Sequence, residues 1–354
     1  MSHWQRDGGP GVKPRRRHAL LASSDGPRHA LGSARAGTSV AATTDIADLS
    51  YLTYRSAGEL LRRLPEPLAD TGAVAVSSVL ARLPSETSAT YVRHLERVLG
   101  RPVSTSEARA WVRRAYRSYA RYWFEGARLP FVDPKVIEAR MTVSEGWEAF
   151  VAGMAAGKGL VLALPHVGSW EWGGAWLALK GYPMTSVAEP LSSTELYDWM
   201  VRQRQGMGLE IVKLGNDAGP VLLKTLRGGG LVGLLCDRDV AGGGVEVEFF
   251  GERTRLPAGP ATLALRTGAT LMVGAVYSGP GKNHTAALLP PIDVTRQAGL
   301  RADVARLTQT VAQQLEELIR RAPEQWHLFQ PNWPSDPGWE ESVMGRATPS
   351  SAAL

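Results

Sequence analysis

Cysteine is almost absent from this sequence, because Cys236 is the single cysteine among 354 residues. One cysteine excludes an intramolecular disulfide framework, and it excludes a zinc site built from several cysteines. A chain without disulfides is typical of a reducing compartment. We expect no metal ion and no resident cofactor in this protein.

Long apolar runs and two common catalytic motifs are also absent. No stretch approaches 18 consecutive apolar residues, which argues against a membrane-spanning helix. The patterns G-x-x-x-x-G-K-S/T and G-x-S-x-G do not occur, so a P-loop enzyme and a serine hydrolase lose their main support. The glycines from Gly228 to Gly233 fit G-x-G-x-x-G, but they follow a predicted helix and precede a predicted strand, which reverses the dinucleotide-binding order.

Positive charge is concentrated at one end of the chain. The formal net charge is +6, from 40 Lys and Arg against 34 Asp and Glu. Residues 1–40 hold seven basic side chains and two acidic ones, so the remaining chain is nearly neutral. A nucleic-acid-binding domain carries a basic face of its own, and we therefore expect no nucleic-acid partner.

Composition divides the chain into segments. Residues 1–44 are rich in Gly, Ser, Ala, Arg and Pro without apolar periodicity, which predicts a disordered basic extension. An Arg-rich arm of this kind also resembles a transit peptide, and a start codon assigned too far upstream would produce the same segment. We expect a single domain at 45–335, with a helical N-terminal part at 45–158 and an α/β core at 159–335. Residues 336–354 are interpreted as a loose C-terminal tail.

Short apolar runs alternate with helical patterns from Gly159 onward. Leu160–Leu164 is continuously apolar, which predicts a strand buried on both faces. Further strands are predicted at 183–189, 210–214, 231–235, 245–250, 270–277 and 285–289, and helices at 170–180, 193–207, 220–227, 257–267 and 301–321. This alternation is typical of βαβ units. The predicted fold class is α/β, with a mostly parallel central sheet flanked by helices and preceded by an N-terminal helical region.

One predicted N-terminal helix carries an aromatic stripe surrounded by arginines. The helix begins near Ser104, and its stripe consists of Trp111, Ala115, Tyr119 and Tyr122 or Trp123. Aromatic rings and arginines on one helix suit a face that lies on an anionic membrane surface. A stripe that packs into the core, with a solvated basic back, explains the same pattern.

The sharpest motif is Pro165-His166-Val-Gly-Ser-Trp-Glu171. His166 follows the buried strand Leu160–Leu164, and open α/β sheets bind ligands at that strand edge. Imidazole can act as a general base while a carboxylate fixes its tautomer. Five residues along a continuous helix would separate the two groups, so His166 must lie in the loop before the helix. A core histidine followed by a Glu at a helix N-terminus fits the same letters.

A second motif is Cys236-Asp-Arg-Asp239, followed by glycines and the alternating strand Val245-Glu-Val-Glu-Phe-Phe-Gly251. Glu246 and Glu248 share one face of that strand, and a carboxylate there could also meet His166. An exposed polar face explains the same alternation. Cys236 closes a buried apolar run, which argues against a reactive thiol.

Tryptophans and arginines cluster in the same region. Four tryptophans follow the histidine motif: Trp170, Trp172, Trp176 and Trp199. They suit either a core or an apolar channel beside a base. Arg204 is one of several arginines that could hold phosphates of an anionic cofactor or lipid, or lie on a solvated face.

Five stretches together resemble the lysophospholipid acyltransferase superfamily, and within it the lipid A biosynthesis (lauroyl) acyltransferase branch that includes the phosphatidylinositol mannoside acyltransferases. They are His166-Val-Gly-Ser-Trp-Glu171, Cys236-Asp-Arg-Asp239, Gly244-Val-Glu-Val-Glu-Phe-Phe-Gly251, Leu256-Pro-Ala-Gly259 and Pro323-Glu-Gln-Trp-His-Leu-Phe-Gln-Pro-Asn-Trp333. The likeness spans about residues 50–335. The Asp-Arg-Asp and Phe-Phe-Gly stretches, with the Trp-His ending, favour the mannoside acyltransferases.

The resemblance implies an acyl-CoA-dependent esterification of a membrane glycolipid. His166 would take the proton from a mannose hydroxyl, and Glu171 matches the motif acid. The family also orients its histidine with a second carboxylate, for which we favour Glu248 over Glu246. Arg204 is the candidate for the cofactor phosphates. The remaining contacts expected on the substrate side are Trp170, Asp237, Arg238 and Asp239.

The resemblance also implies a place in the cell. The acceptor would be a membrane lipid in phospholipid and glycolipid biosynthesis, and acyl-CoA would be a co-substrate. The lipid A enzymes usually carry an N-terminal membrane anchor, which we do not find here, so we expect peripheral association with the cytoplasmic face of the cell membrane. Two alternatives stay open: an acyltransferase with a lipid A-type or lysophospholipid acceptor, and a non-catalytic lipid-binding relative.

Overall fold

A computed structural model describes Arg63 and residues 65–190, 193–240 and 242–340. The predicted extension at 1–44, the first residues of the predicted helical part and the predicted tail beyond residue 340 lie outside the described residues. All described residues belong to one unit, Thr44–Leu354.

Helices come first along the described chain. They are α1 Glu66–Leu80, α2 Glu86–Leu99, α3 Thr105–Arg128 and α4 Pro134–Ala139. Serine hydroxyls cap two of them: Ser85 accepts the N–H of Ser88 at the start of α2, and Ser104 accepts the N–H of Glu107 at the start of α3. Each cap satisfies a backbone donor that has no partner within its helix.

Seven strands form the central sheet. They are β1 Met141–Glu145, β2 Leu160–Leu164, β3 Met184–Ala188, β4 Leu209–Lys213, β5 Leu231–Leu235, β8 Thr270–Ser278 and β9 His284–Leu288, and their order across the sheet is β1-β9-β8-β2-β5-β3-β4. Neighbouring strands are parallel except β8 and β9. The predicted α/β fold with a mostly parallel sheet is therefore confirmed, and β1 is a strand that the sequence did not predict.

Helices cover the sheet on both faces. They are α5 Trp147–Ala155, α6 Trp170–Leu179, α7 Thr194–Gly206, α8 Ala218–Arg227, α9 Gly259–Thr267 and α10 Leu300–Arg321. Strand β2 is buried throughout, with Leu160, Leu162 and Leu164 in one apolar cluster and Val161 and Ala163 in another. Alternate side chains of a strand point to opposite faces, so a fully buried strand must be apolar at every position.

The alternating segment after β5 forms a separate hairpin. It consists of β6 Val245–Phe249 and β7 Glu252–Leu256, and it packs against α10. Its two-residue turn is Phe250-Gly251, where both residues have positive φ angles of 52° and 77°. Two positive φ angles are what a tight hairpin turn requires, and glycine meets this without strain. The predicted strand is thus present, but it lies outside the central sheet.

The aromatic stripe of α3 packs mainly against other parts of the chain. Ala115 is buried, the Tyr119 ring lies 5.0 Å from Phe329, and the Tyr122 ring lies 5.4 Å from His327. Trp123 remains exposed. The stripe therefore belongs largely to the core. In the described ranges, no helix combines the length and apolar character needed to cross a membrane.

Residues 323–336, which we call the C-terminal segment, are tied to the N-terminal helices. The buried Asp336 carboxylate contacts His94 Nε2 at 3.1 Å and Arg97 Nη1 at 2.9 Å, both in α2. Burial by itself raises the pKa of Asp336, but hydrogen bonds from His94 and the Asn332 backbone N–H, with the charge of Arg97, outweigh it and hold this pKa well below its ordinary value. Asp336 therefore belongs to the folded part, although the sequence places it at the start of a tail.

Candidate active site

Two neighbouring parallel strands end at the same edge of the sheet. β2 and β5 pair in register, with Leu164 opposite Leu235, and the Cys236 N–H donates to Leu164 O at 2.9 Å. The chain leaves β2 toward His166 and leaves β5 toward Asp237. Ligand sites of open α/β sheets lie at this carboxyl edge.

His166 and Asp237 contact each other at that edge. His166 Nδ1 lies 2.6 Å from Asp237 Oδ1, and the His166 backbone N–H donates to Oδ2 at 2.9 Å. The His166 side chain is 34% exposed, whereas the Asp237 side chain is wholly buried. One residue thus faces the surroundings while its partner is sealed beneath it.

Hydrogen bonds compensate for the burial of Asp237. The Trp326 Nε1–H donates to Asp237 Oδ2 at 2.7 Å. Burial by itself raises the pKa of Asp237, but the charge and hydrogen bonds of His166 and the bond from Trp326 outweigh it, so this pKa lies below its ordinary value. The carboxylate is therefore ionised at neutral pH.

An ionised carboxylate also determines the tautomer of the neighbouring ring. Asp237 can only accept hydrogen bonds, so His166 Nδ1 carries a proton. In a neutral ring, Nε2 then holds the lone pair. This is the form in which a histidine can remove a proton from a substrate hydroxyl.

The loop between β2 and α6 holds His166 outside the helix. Gly168 has a φ of 58°, and a Cβ atom there would lie 2.1 Å from Val276 O, so only glycine fits. The Gly168 N–H donates to Gln325 O at 2.9 Å, and the His327 N–H donates to His166 O at 2.8 Å. The C-terminal segment therefore fixes the loop through backbone bonds.

Glu171, the motif acid, pairs with an arginine. It lies in the first turn of α6, and its Oε1 accepts bonds from Arg204 Nε at 2.8 Å and Nη2 at 2.7 Å. Both side chains are mostly buried. The Arg204 guanidinium also lies over the Trp170 ring, 5.3 Å from its centroid. Glu171 follows His166 by only five residues, yet it contacts Arg204 of α7. The carboxylate that contacts His166 is Asp237.

This pairing gives Arg204 a partner within the protein, and its predicted contact with cofactor phosphates stays a prediction. Burial lowers the pKa of Arg204, but the charge of Glu171 and hydrogen bonds with Glu171 and Tyr122 raise it above its ordinary value. The structure therefore assigns Arg204 to Glu171.

The structure corrects the assignment of Glu248, or Glu246, as the second carboxylate at His166. Glu246 and Glu248 are both exposed on β6. Glu246 Oε1 lies 3.4 Å from Arg253 Nη1, and the backbone of Glu248 pairs with the Gln309 side chain. The apolar residues of β6 turn inward, which leaves both glutamates on the solvent side. The carboxylate that contacts the His166 ring is Asp237.

Arg238 and Asp239 shape the connection after β5. Arg238 Nη2 lies 3.2 Å from Glu189 Oε2. The buried Asp239 carboxylate accepts backbone N–H groups of Gly242 at 3.1 Å and Gly244 at 2.7 Å. These bonds organise the glycine-rich connection, and a direct contact of either residue with substrate stays a prediction.

Cys236 is fully buried beside Asp237. Burial raises the pKa of the Cys236 thiol well above its ordinary value, and the negative charge of Asp237 raises it further. A thiol with a raised pKa stays protonated and is a poor nucleophile. This agrees with the sequence argument against a covalent cysteine intermediate.

An apolar cavity of about 30 Å³ lies next to the His166 loop. Its walls include Leu164 and Trp170, which flank that loop in the sequence. Other wall residues are Phe150, Leu162, Trp176, Leu177, Met184 and Val276. Two of the four clustered tryptophans thus line apolar space. A third, Trp172, stacks on the buried His284 at 4.3 Å.

Sequence reasoning named Trp326, Asn332 and His327 only as parts of a resembling stretch. The structure brings all three to the pair: Trp326 binds the Asp237 carboxylate, and Asn332 Nδ2 donates to Asp237 O at 3.0 Å. His327 Nε2 also lies 2.9 Å from Ser118 Oγ in α3. The sequence signal that could have indicated these residues is the aromatic and amide content of the stretch that follows the last long helix.

Comparison with known families identifies the class. The profile of the bacterial lipid A biosynthesis acyltransferase family matches residues 47–335. The chain therefore belongs to this acyltransferase family, and the predicted resemblance is confirmed.

Individual relatives show which members of the family the chain is similar to. The chain is 36% identical over 289 residues to the phosphatidylinositol mannoside acyltransferase of Mycolicibacterium smegmatis, covering 80% of this chain and 91% of the relative. It is 37% identical over 248 residues to the phosphatidylinositol mannoside acyltransferase of Mycobacterium tuberculosis (strain H37Rv), covering 69% of this chain and 76% of the relative. The chain is thus an acyltransferase homologous to these enzymes.

Proposed function

We propose that this chain transfers an acyl group from acyl-CoA to a mannose hydroxyl of a phosphatidylinositol mannoside. The observation that carries the proposal is the His166–Asp237 contact of 2.6 Å, with the ring exposed at the sheet edge and the carboxylate buried. Two relatives named phosphatidylinositol mannoside acyltransferase support this choice of acceptor.

The proposed reaction needs one base and no acyl-enzyme. His166 Nε2 takes the proton of the acceptor hydroxyl while the oxygen attacks the thioester carbonyl. The C–S bond breaks, and the departing CoA sulfur receives the proton from His166. Asp237 stabilises the imidazolium between these two proton transfers.

The apolar cavity lined by Leu164 and Trp170, which flank the His166 loop in the sequence, is the proposed entrance for the acyl tail. A volume of about 30 Å³ is far smaller than a fatty chain, so its walls must move when the chain binds. Met184 lies in the wall, and unbranched methionine side chains adapt readily to new shapes. An apolar wall also keeps water away from the thioester, which protects it from hydrolysis.

Peripheral membrane association is part of the proposal. Helix α1 carries its bulky apolar side chains outward: Val76 and Val79 are each 56% exposed, and Leu68 is 61% exposed. Ser77, between them, is buried. An outward apolar face of this kind is typical of helices that lie in a membrane surface. We propose that this surface faces the cytoplasmic leaflet, where acyl-CoA is available.

Replacement of the base is the direct test. We expect His166→Ala to keep its fold and to lose acyl transfer by about 10²- to 10⁴-fold in rate. Circular dichroism and thermal unfolding would establish the fold, and labelled palmitoyl-CoA would report transfer. Full activity in this variant would end the assignment of His166.

Turnover separates an enzyme from a lipid-binding relative. Acyl transfer requires that free CoA thiol appears only when an acceptor lipid is present. Tight lipid binding without thiol release, under every acceptor tested, would favour the non-catalytic alternative.

The acceptor can be identified without assuming it. The protein would be incubated with labelled palmitoyl-CoA and total membrane lipid, and the labelled product analysed by mass spectrometry. Label on a mannose of a phosphatidylinositol mannoside supports the proposal. Label on a lipid A precursor or a lysophospholipid would keep the acyltransferase and replace the acceptor.

A further inference from the structure

The C-terminal segment contacts both members of the His166–Asp237 pair. An isolated antiparallel bridge joins Val167 to Trp326, and the adjacent His327 N–H donates to His166 O at 2.8 Å. The indole of Trp326 reaches the other member, with Nε1 2.7 Å from Asp237 Oδ2. One residue is thus connected to the histidine loop by its backbone and to the carboxylate by its side chain.

Trp326 is itself held on several sides. It is fully buried, and its ring lies 5.7 Å from Phe250, 5.7 Å from His94 and 6.3 Å from Trp333. A ring packed among other aromatic rings has little freedom to rotate. The N–H of this indole therefore points at Asp237 with a fixed geometry.

The donor matters because Asp237 is wholly buried. Among the described residues, Trp326 is the one group besides His166 that donates a hydrogen bond to this carboxylate. A buried carboxylate keeps its charge only where donors replace water. Without the indole N–H, Asp237 would take up a proton more readily, and a protonated Asp237 could no longer stabilise the imidazolium of His166.

We propose that Trp326 is a positioning residue of the acyl transfer, whose indole N–H keeps the Asp237 carboxylate charged and aligned on His166. The inference rests on the proposed function, since it takes His166 as the base. Trp326 acts through Asp237 and not on the substrate.

The test compares two buried tryptophans. Trp326→Phe removes the indole N–H at Asp237, whereas Trp333→Phe removes one that donates to Phe249 O at 3.2 Å in the same aromatic cluster. We expect Trp326→Phe to lower kcat by about 10- to 100-fold relative to Trp333→Phe, because a hydrogen bond to a charged group is lost. The KM for acyl-CoA should agree within about twofold, since the lost stabilisation belongs to the transition state.

The pH dependence separates this role from a structural one. In Trp326→Phe, the acidic limb of the kcat profile should move to lower pH by about one unit, because an Asp237 without its donor stabilises the His166 imidazolium less and the base then stays neutral at lower pH. A structural defect would lower kcat without moving that limb. Equal kcat values and equal acidic limbs in the two variants would overturn the proposal.

Two further measurements keep the test decisive. If the phenylalanine variant does not fold, 3-benzothienylalanine at position 326 keeps the ring shape and removes only the N–H, with the same expectations. Nuclear magnetic resonance of isotope-labelled histidine would follow the His166 Nδ1–H proton, whose strongly hydrogen-bonded signal should shift in Trp326→Phe and not in Trp333→Phe. This signal needs no turnover, so it tests Trp326 even if the wild-type protein transfers no acyl group and the proposed function fails. An unchanged signal would contradict the role of Trp326.

Discussion

Asp237 and Glu171 are both largely buried carboxylates near one histidine motif, yet they have different partners. Glu171 stands five positions after His166 and binds Arg204 on helix α7. Asp237 stands 71 positions away and binds the His166 ring. The difference arises because parallel strands bring their carboxyl ends together, whereas a helix carries its side chains away from the loop before it. Proximity in the chain is therefore a poor guide to which acid contacts the histidine.

The largest expected effect is on the acid that contacts His166. Asp237→Asn should lower kcat by about 10³- to 10⁴-fold, because an amide in place of the carboxylate neither stabilises the imidazolium nor enforces the Nδ1–H tautomer. Steady-state kinetics with palmitoyl-CoA would measure it. Glu248→Gln, a change of an exposed acid on β6, should leave kcat within about twofold. A loss in Glu248→Gln as large as that in Asp237→Asn would contradict the site described here.

Replacement of the other carboxylate, Glu171, should act mainly on the stability of the protein. Glu171→Gln leaves the Arg204 guanidinium buried without its anion, so the free energy of unfolding should fall by about 3 kcal/mol. Urea denaturation would measure it. Adding Arg204→Met to Glu171→Gln should recover a large part of the loss, because the unpaired charge is then gone. If Glu171→Gln kept full stability and lost turnover as Asp237→Asn does, the distinction between the two acids would fail.

The pH dependence of stability sharpens the comparison further. The pKa of Asp237 is lower in the folded protein than in an unfolded chain, where it is about 3.9. Its stabilising contribution is therefore present above about pH 4 and is lost as the pH falls through the folded value. The difference in unfolding free energy between wild type and Asp237→Asn should shrink as the pH is lowered from 5 toward 3. A difference that grew over this range would be inconsistent with a charged Asp237.

The smallest expected effect concerns helix α1, which contains neither Asp237 nor Glu171. Val76→Ser combined with Val79→Ser should weaken binding to anionic phospholipid vesicles by about tenfold or more, because two exposed apolar side chains of α1 are lost. Turnover of a short-chain, water-soluble acyl donor should not change, since both acid pairs stay intact. Leu179→Ser with Leu300→Ser, two exposed leucines outside α1, is the matched control. Equal vesicle binding in the two double variants would argue against α1 as the membrane-facing helix.

The strands that carry the site could be predicted closely. The strands Leu160–Leu164 and Leu231–Leu235 have the boundaries that their apolar runs predict. Each is a short apolar run that follows a glycine, which is a strong signal for a buried strand. The position of His166 at the end of one of them followed directly. The sequence did not predict the edge strand β1 because Thr142 and Ser144 interrupt its apolar pattern.

The partners of His166 could not be read from the sequence. The choice between Glu248 and Asp237 depends on the order of strands in the sheet, and β2 lies next to β5 although five elements separate them in the chain. Glu248 lies on a hairpin outside that sheet. The contact of Trp326 depends on the path of the C-terminal segment after α10, for which periodicity contains no information.

The bond from Trp326 to Asp237 also has a consequence for biosynthesis. The ribosome completes β2, β5 and the loop of His166 long before it reaches codon 326, so a nascent chain holds His166 and Asp237 without the indole that donates to Asp237. Asp336, which ties this late stretch back to His94, is translated later still. An acyltransferase made in this order lacks the donor to Asp237 until this late stretch has been translated, and should reach full turnover only after that.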